Sequence, residues 1–189
     1  MKTTVVVAGA SAARLIRRVL NDPAVRVEDT WERSSAMRRA GRLAGMEEEP
    51  VVLVLDTDSV EERPMVEDRL EIGGYLRGRS GGTPSKLVLA VPQVEAVLFS
   101  DRAGLERALG RKIADDDAFE ARFRPRAVFQ RLLGDGETEE RALEVIDRLD
   151  DAALSRMAKH PIIREIVDFA AEVRAHEEPV HAEPVRRAG

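Results

Sequence analysis

The stretch VVLVLDTDS, residues 51–59, decides how this chain folds. Val51 to Leu55 is apolar throughout, which suits a strand buried on both faces, as in a parallel sheet. It runs straight into Asp56, Thr57 and Asp58. A bare charge beside a core is costly unless something pairs with it. Either the carboxylates face water in a polar turn, with Asp58 or Ser59 capping the next helix, or they hold a cation.

Working outward, Thr3 to Ala8 and Lys86 to Val91 are further apolar, β-rich runs, and Val25 to Val27 is a shorter one. Between them lie helix-forming stretches. One runs to about Leu20 with Ser11 as its cap, and another from Ser34 or Ser35 to Gly45. The charged segment Glu61 to Gly74 follows, and Gly78 to Pro84 reads as a flexible loop. Val94 to Phe99 and Arg102 to Leu109 are helical, with Asp101 a cap for the second. Strands alternating with helices across short connections predict an α/β fold with a parallel sheet between helices. Beyond residue 111 the strand signal ends. Helices are expected at Arg126–Leu133, Glu137–Leu149, Asp151–Ala158 and Ile162–Ala175, with Pro161 in the first turn of the last. The expected organisation is an α/β domain over 1–112, a helical extension over 113–175 and a disordered tail over 176–189.

Composition narrows the chemistry. The 189 residues are 43% hydrophobic, enough for one core. There is no cysteine, which excludes disulfides, thiolate metal sites and cysteine nucleophiles. No stretch approaches the ~20 apolar residues of a membrane span, and the first apolar run lacks the basic flank of a signal segment. The expectation is a soluble cytoplasmic protein. A net charge of −5 argues against a purely electrostatic nucleic-acid binder. Arginine is nevertheless clustered, at Arg14, Arg17 and Arg18, at Arg33, Arg38, Arg39 and Arg42, and at Arg122, Arg124 and Arg126. Guanidinium forks suit phosphates, although solvated helix faces explain such clusters as well. His176 and His181 lie in the tail and His160 precedes a helix, so no Ser-His-Asp set forms. Trp31 and Tyr75 are too few for a base-stacking platform.

In a parallel α/β sheet, function gathers beyond the carboxyl ends of the strands. Asp56 and Asp58 follow one strand, and Glu95 follows another in VPQVEAVL, residues 91–98. Acids from two strand ends can converge on a divalent cation, since Mg²⁺ takes a few carboxylate oxygens plus water.

This layout resembles the Toprim domain, the metal-binding module of topoisomerases, primases, small ribonucleases and OLD-type nucleases. The resemblance spans roughly residues 3–110. It is carried by Asp56-Thr57-Asp58 as the Asp-x-Asp element and by VPQVEAVL with its acid at Glu95. HPIIREIVDF, residues 160–169, resembles the helical ending of small bacterial members. The resemblance implies Asp56, Asp58 and Glu95 as catalytic and metal-holding residues, Mg²⁺ or Mn²⁺ as cofactor and nucleic-acid phosphodiester cleavage as the reaction. Arg14, Arg17, Arg18 and Lys86 would contact the nucleic-acid backbone. The chain departs from the family at Ala8, where the family carries a glutamate before glycine. Small Toprim-like proteins are often encoded beside ATPases in systems resembling phage defence. A catalytically inactive regulatory or scaffold subunit for an ATPase or other protein partner is therefore the alternative, and self-association is compatible with either reading.

Two further readings rest on the same residues. Asp56-Thr57-Asp58 resembles the nucleophile motif of haloacid-dehalogenase-like phosphatases, with Lys86 and Asp115–Asp117 as the remaining elements. That motif normally follows the first strand, whereas here a βα unit precedes it. VVVAGASAARL, residues 5–15, has the strand, glycine and helix of a nucleotide loop but lacks its repeated glycines and lysine.

Overall fold

A computed structural model describes residues 2–134 and 138–177. Four six-residue strands form one parallel sheet: β1 (Thr3–Ala8), β2 (Val25–Thr30), β3 (Val51–Asp56) and β4 (Ser85–Ala90), in the order β2-β1-β3-β4. The helices are α1 (Ala10–Leu20), α2 (Arg33–Met46), α3 (Glu62–Ser80), α4 (Ala96–Phe99), α5 (Arg102–Leu109), α6 (Asp115–Glu120), α7 (Pro125–Leu133), α8 (Thr138–Asp147), α9 (Asp151–Met157) and α10 (Pro161–Glu177). The α/β architecture with a helical C-terminal part is the one the sequence predicts.

Side chains alternate across a strand, and this sheet buries both of its sides. Val5, Val7, Val52, Val54, Val88 and Ala90 face one layer, made by α1 and the C-terminal helices through Ile16, Val97, Leu105, Ile163 and Ile166. Val6, Val51, Leu53, Leu55 and Leu89 face the other, where α2 and α3 supply Ala36, Ala40, Leu43, Ile72 and Leu76. The apolar run of β3 is explained by this: its residues are buried on both sides. Residues 113–175 share the first core with the sheet, so packing is continuous across position 112.

Three elements differ from expectation. The segment Glu61–Gly74 and part of the supposed loop after Gly78 form one helix, α3, of 19 residues. Its apolar markers do not mark one stripe: Ile72 and Leu76 are buried, whereas Leu70 is exposed. β2 extends to Thr30 as an edge strand whose alternate residues are polar: Arg26 pairs with Glu49 at 2.6 Å and Glu28 with Arg39 at 2.7 Å. The start of α1 is Gly9 at φ 94°, a left-handed turn that glycine allows, and Ser11 does not cap it. The expectation for the tail beyond Glu177 falls outside the described residues. No described helix is long and apolar enough to cross a membrane.

Candidate functional site

The chain leaves β1 toward β2 on one side of the sheet and reaches β3 on the other. The switch between these directions opens a crevice at the carboxyl ends of β1 and β3. A half-open cleft of about 320 Å³ lies there, bordered by Gly9, Trp31, Arg33, Asp56, Glu95 and Arg126.

Asp56 is the last residue of β3. Its Oδ1 accepts from the Val94 amide at 2.9 Å, and its Oδ2 accepts from Arg126 Nη2. Glu95 stands at the head of α4, is only 6% exposed, and meets the same guanidinium: Nε donates to Oε1 at 2.9 Å and Nη2 to Oε2 at 3.2 Å. Asp56 and Glu95 thus do converge from two adjacent strand ends, and the cation between them is Arg126. Burial pushes the Asp56 carboxyl above its ordinary value; the Arg126 charge opposes this and the Glu95 charge adds to it. Burial also works to lower the Arg126 pKa, but the Glu95 bonds and charge, followed by those of Asp56, outweigh it and hold the guanidinium above its ordinary value.

Asp58 does not join them. Its backbone is left-handed at φ 53°, and its Oδ1 accepts from Gln93 Nε2 at 2.7 Å. Gln93 Oε1 in turn accepts from the Arg126 amide at 3.2 Å, so one amide side chain ties the turn after β3 to the first turn of α7. Thr57 is buried between the two acids and staples the strand ends. Its amide reaches the Ala90 and Pro92 carbonyls, and its hydroxyl donates to Ser59 O at 2.6 Å. Neither Asp58 nor Ser59 caps α3, whose N-cap is Glu61 with no side-chain bond. Arg33 completes the wall, donating to the Asp56 carbonyl at 2.9 Å and pairing with Asp68 at 2.6 Å. The N-terminus of α1 points into the same crevice, and the Ser11 amide donates to Glu139 at 2.7 Å.

Among the described residues, no three His, Asp or Glu side chains are placed to hold a metal ion. The implied Mg²⁺ or Mn²⁺ does not fit this arrangement. Two of the acids are engaged by Arg126, the third faces Gln93, and Ala8 offers no oxygen in its side chain.

The other predicted residues lie elsewhere. Arg14 makes a two-point pair with Asp147, at 2.8 Å on each oxygen. Arg17 donates to Val27 O at 2.8 Å, and Arg18 donates to Ile146 O and Leu149 O at 2.7 and 3.0 Å. These forks bind the protein itself, joining α1 to β2 and to the end of α8. Lys86 pairs in register with Val52, four residues before Asp56, which sets it about 13 Å back along the sheet. Asp101 takes the N-cap position of α5, but its carboxylate pairs with Arg156 at 2.8 Å instead of capping. Asp115–Asp117 form the first turn of α6, where they suit the helix dipole. The phosphatase reading needs a free Asp56 oxygen, and both are engaged.

Arg126, Gln93, Arg33 and Glu139 are the site residues the sequence reading passed over. Arg126 carried one signal. It follows Pro125 at the start of a helix, where a cation opposes the dipole and needs a carboxylate partner.

No family model and no curated protein sequence matches the chain. Among solved structures, it is similar to two of the C-terminal region of the Xanthomonas campestris pv. campestris OLD protein. The one phased with iodine is 15% identical, with a TM-score of 0.49 over 92% of this chain and 96% of that one. The one phased with platinum is also 15% identical, with a TM-score of 0.40 over 93% and 97%. The fold assignment rests on the sheet and helices described above and takes nothing from this likeness.

Proposed function

We propose that this chain is a Toprim-like protein of nuclease type whose cleft no longer cuts, and that it serves as a non-catalytic binding subunit. The observation that carries the reading is the Arg126 guanidinium held between Asp56 and Glu95. In a metal-dependent phosphodiesterase a divalent cation would take that place and stabilise charge on the phosphate. A guanidinium held by two acids offsets one of their two negative charges and generates no hydroxide. The absent carboxylate at position 8 and the Gln93-bound Asp58 agree with this. The cleft then becomes a structural clasp between the sheet and α7.

Calorimetric titration with Mn²⁺ tests the reading. Wild type is expected to take up no ion, and Asp58→Ala to behave identically. Wild-type binding that Asp58→Ala loses, together with cleavage of DNA or RNA, would overturn it.

That outcome would support the second reading, Mg²⁺-dependent cleavage by Asp56, Asp58 and Glu95. Its favouring observation is that two acids from adjacent strand ends already share one cation. It requires Arg126 to withdraw. Arg126→Gln, which cannot supply the charge, would then bind Mn²⁺ more tightly than wild type.

A further inference from the structure

A different surface gathers several cations that have no carboxylate partner among the described residues. Two stretches, 33–46 and 72–94, contain seven arginines and lysines and no acid, in a chain of net charge −5. They pack together as α2, the second half of α3 and β4. The helices approach closely at Gly41 and Gly45. A Cβ on Gly41 would stand 2.8 Å from the Tyr75 hydroxyl, and one on Gly45 would run into the Arg79 carbonyl oxygen. Grooves flank α3 on both sides, one against α2 and one against β4. One, of about 270 Å³, is lined by Arg38, Arg42, Tyr75 and Arg79. The other, of about 240 Å³, is lined by Arg69, Arg77 and Lys86.

Among the described residues, Arg69, Arg77, Arg79 and Lys86 have no carboxylate in ion-pair range, and Arg79 rests over the Tyr75 ring at 5.6 Å. Arg38 holds only the Ser34 and Ser35 hydroxyls closely, with Glu32 at 3.9 Å. Arg42 has Glu47 at 3.3 Å, and Glu47 already pairs with Arg39 at 2.6 Å. Arg77 and Arg79 lie in the last turn of α3, where cations suit the dipole. That accounts for two of the six and for neither groove. Six gathered cations repel one another and attract a polyanion. Five are arginines, whose planar forks match phosphate oxygens in two-point bonds. The grooves are lined by cations. The exposed apolar side chains beside them, Met46 and Leu70, are single residues on different helices and not the continuous apolar face that insertion into a membrane requires.

We infer that the α2–α3 face binds the phosphodiester backbone of a nucleic acid, by charge and without sequence preference. This does not depend on the reading of the cleft. It gives Lys86 the nucleic-acid contact implied by the resemblance, on a surface remote from Asp56.

The test is fluorescence anisotropy with a labelled ~30-base-pair duplex and a ~30-nucleotide single strand, starting at ~50 mM salt. Wild type is expected to bind, with a log–log salt slope for the duplex of about −5 for six contacts. Arg77→Ala/Arg79→Ala/Lys86→Ala is expected to lose about tenfold or more, with the slope falling to about −3. Arg77→Lys/Arg79→Lys, which keeps the charge, should bind within a few-fold of wild type. Arg122→Ala/Arg124→Ala/Arg164→Ala, an equal charge change on the C-terminal helices, should leave binding nearly intact. Urea unfolding of each variant checks that it is folded. Three results would overturn the inference: no wild-type binding at low salt, equal weakening by the two triple variants, or binding to phosphatidylserine vesicles with none to either nucleic acid.

Discussion

Arginines of the two helical layers of this protein meet different fates. On the side built by α1 and the C-terminal helices, Arg14, Arg18 and Arg126 each reach a carboxylate or carbonyl from another element. On the side built by α2 and α3, Arg33 and Arg39 pair with Asp68 and Glu28, but Arg69, Arg77 and Arg79 reach none among the described residues. The clusters look alike in the sequence. What separates Arg14 and Arg18 from Arg77 and Arg79 is that the second half of the chain folds back over the first two. The C-terminal helices bring Asp147, the α8 carbonyls and Glu139 to α1, and α7 brings its cation to the acids of the crevice. Arg33 of α2 meets α3 at Asp68, but no carboxylate is brought to Arg69, Arg77 or Arg79 among the described residues. A paired arginine in this molecule is a tertiary clasp, and an unpaired one is free to meet an outside anion.

Breaking the paired side should have the largest effect. Arg126→Ala leaves Asp56 and Glu95 close together without their cation. Loss of one partner from a fully buried ion pair costs about 3–5 kcal/mol, and the 36% exposure of the Arg126 side chain places the expected loss at or below the lower end. Urea unfolding should show that loss as a lower midpoint with an unchanged slope. Arg18→Ala removes bonds to two carbonyls at the end of α8 from a side chain 25% exposed. A charged hydrogen bond contributes about 1.5–3 kcal/mol, and partial solvent access places the expected loss near the lower end. The same substitution at Arg79 should cost less, at most about 1 kcal/mol, because this exposed side chain has only the Tyr75 ring and the helix dipole to hold. A loss at Arg79 equal to that at Arg18 would remove the contrast between the layers.

Acid titration sharpens the same contrast. Glu106 on the paired side is gripped by Lys112 at 2.8 Å, by the Ile113 amide at 3.1 Å and by Arg102 at 3.2 Å. Lys112 chiefly, then the amide and Arg102, hold its carboxyl down to about 2 against an ordinary 4.5. A depressed acid stabilises the fold above its unfolded pKa and loses that contribution as pH falls through the folded one. The stability difference between wild type and Glu106→Gln should therefore be constant above about pH 5 and shrink between about 4.5 and 2. Asp56 has the opposite sign. Its carboxyl is raised by burial, so its own titration favours the fold on the acid side and weakens it as pH rises.

The fold was legible where one face or both faces of an element were uniformly buried. β3 could be read from Val51 to Leu55 alone, and the acids after it pointed to the strand ends where Asp56 and Glu95 meet Arg126. α3 was not legible, because Gly73, Gly74 and Gly78 interrupt it and Leu70 faces water, so neither a stripe nor a helix signal stands out. The partner of the acids was hidden for a different reason. Arg126 lies 70 residues beyond Asp56 in the chain and reaches it only after α7 docks. Periodicity and local spacing describe elements, and a contact between elements that far apart leaves no trace in either. The fates of Arg14 and Arg18 were invisible for the same reason, since their acceptors sit about 130 residues away.

The central claim is that Arg126 is the cation of the Asp56–Glu95 pair, and a double-mutant cycle in urea unfolding measures it. The variants are Arg126→Met, Glu95→Gln and the two combined, each unfolded with and without Mn²⁺. Partners in one buried pair are expected to couple by about 1.5 kcal/mol or more, with the double variant little worse than the poorer single one. Wild-type stability should not respond to the ion. Additive losses within about 0.5 kcal/mol, or a wild type that Mn²⁺ stabilises, would contradict the account.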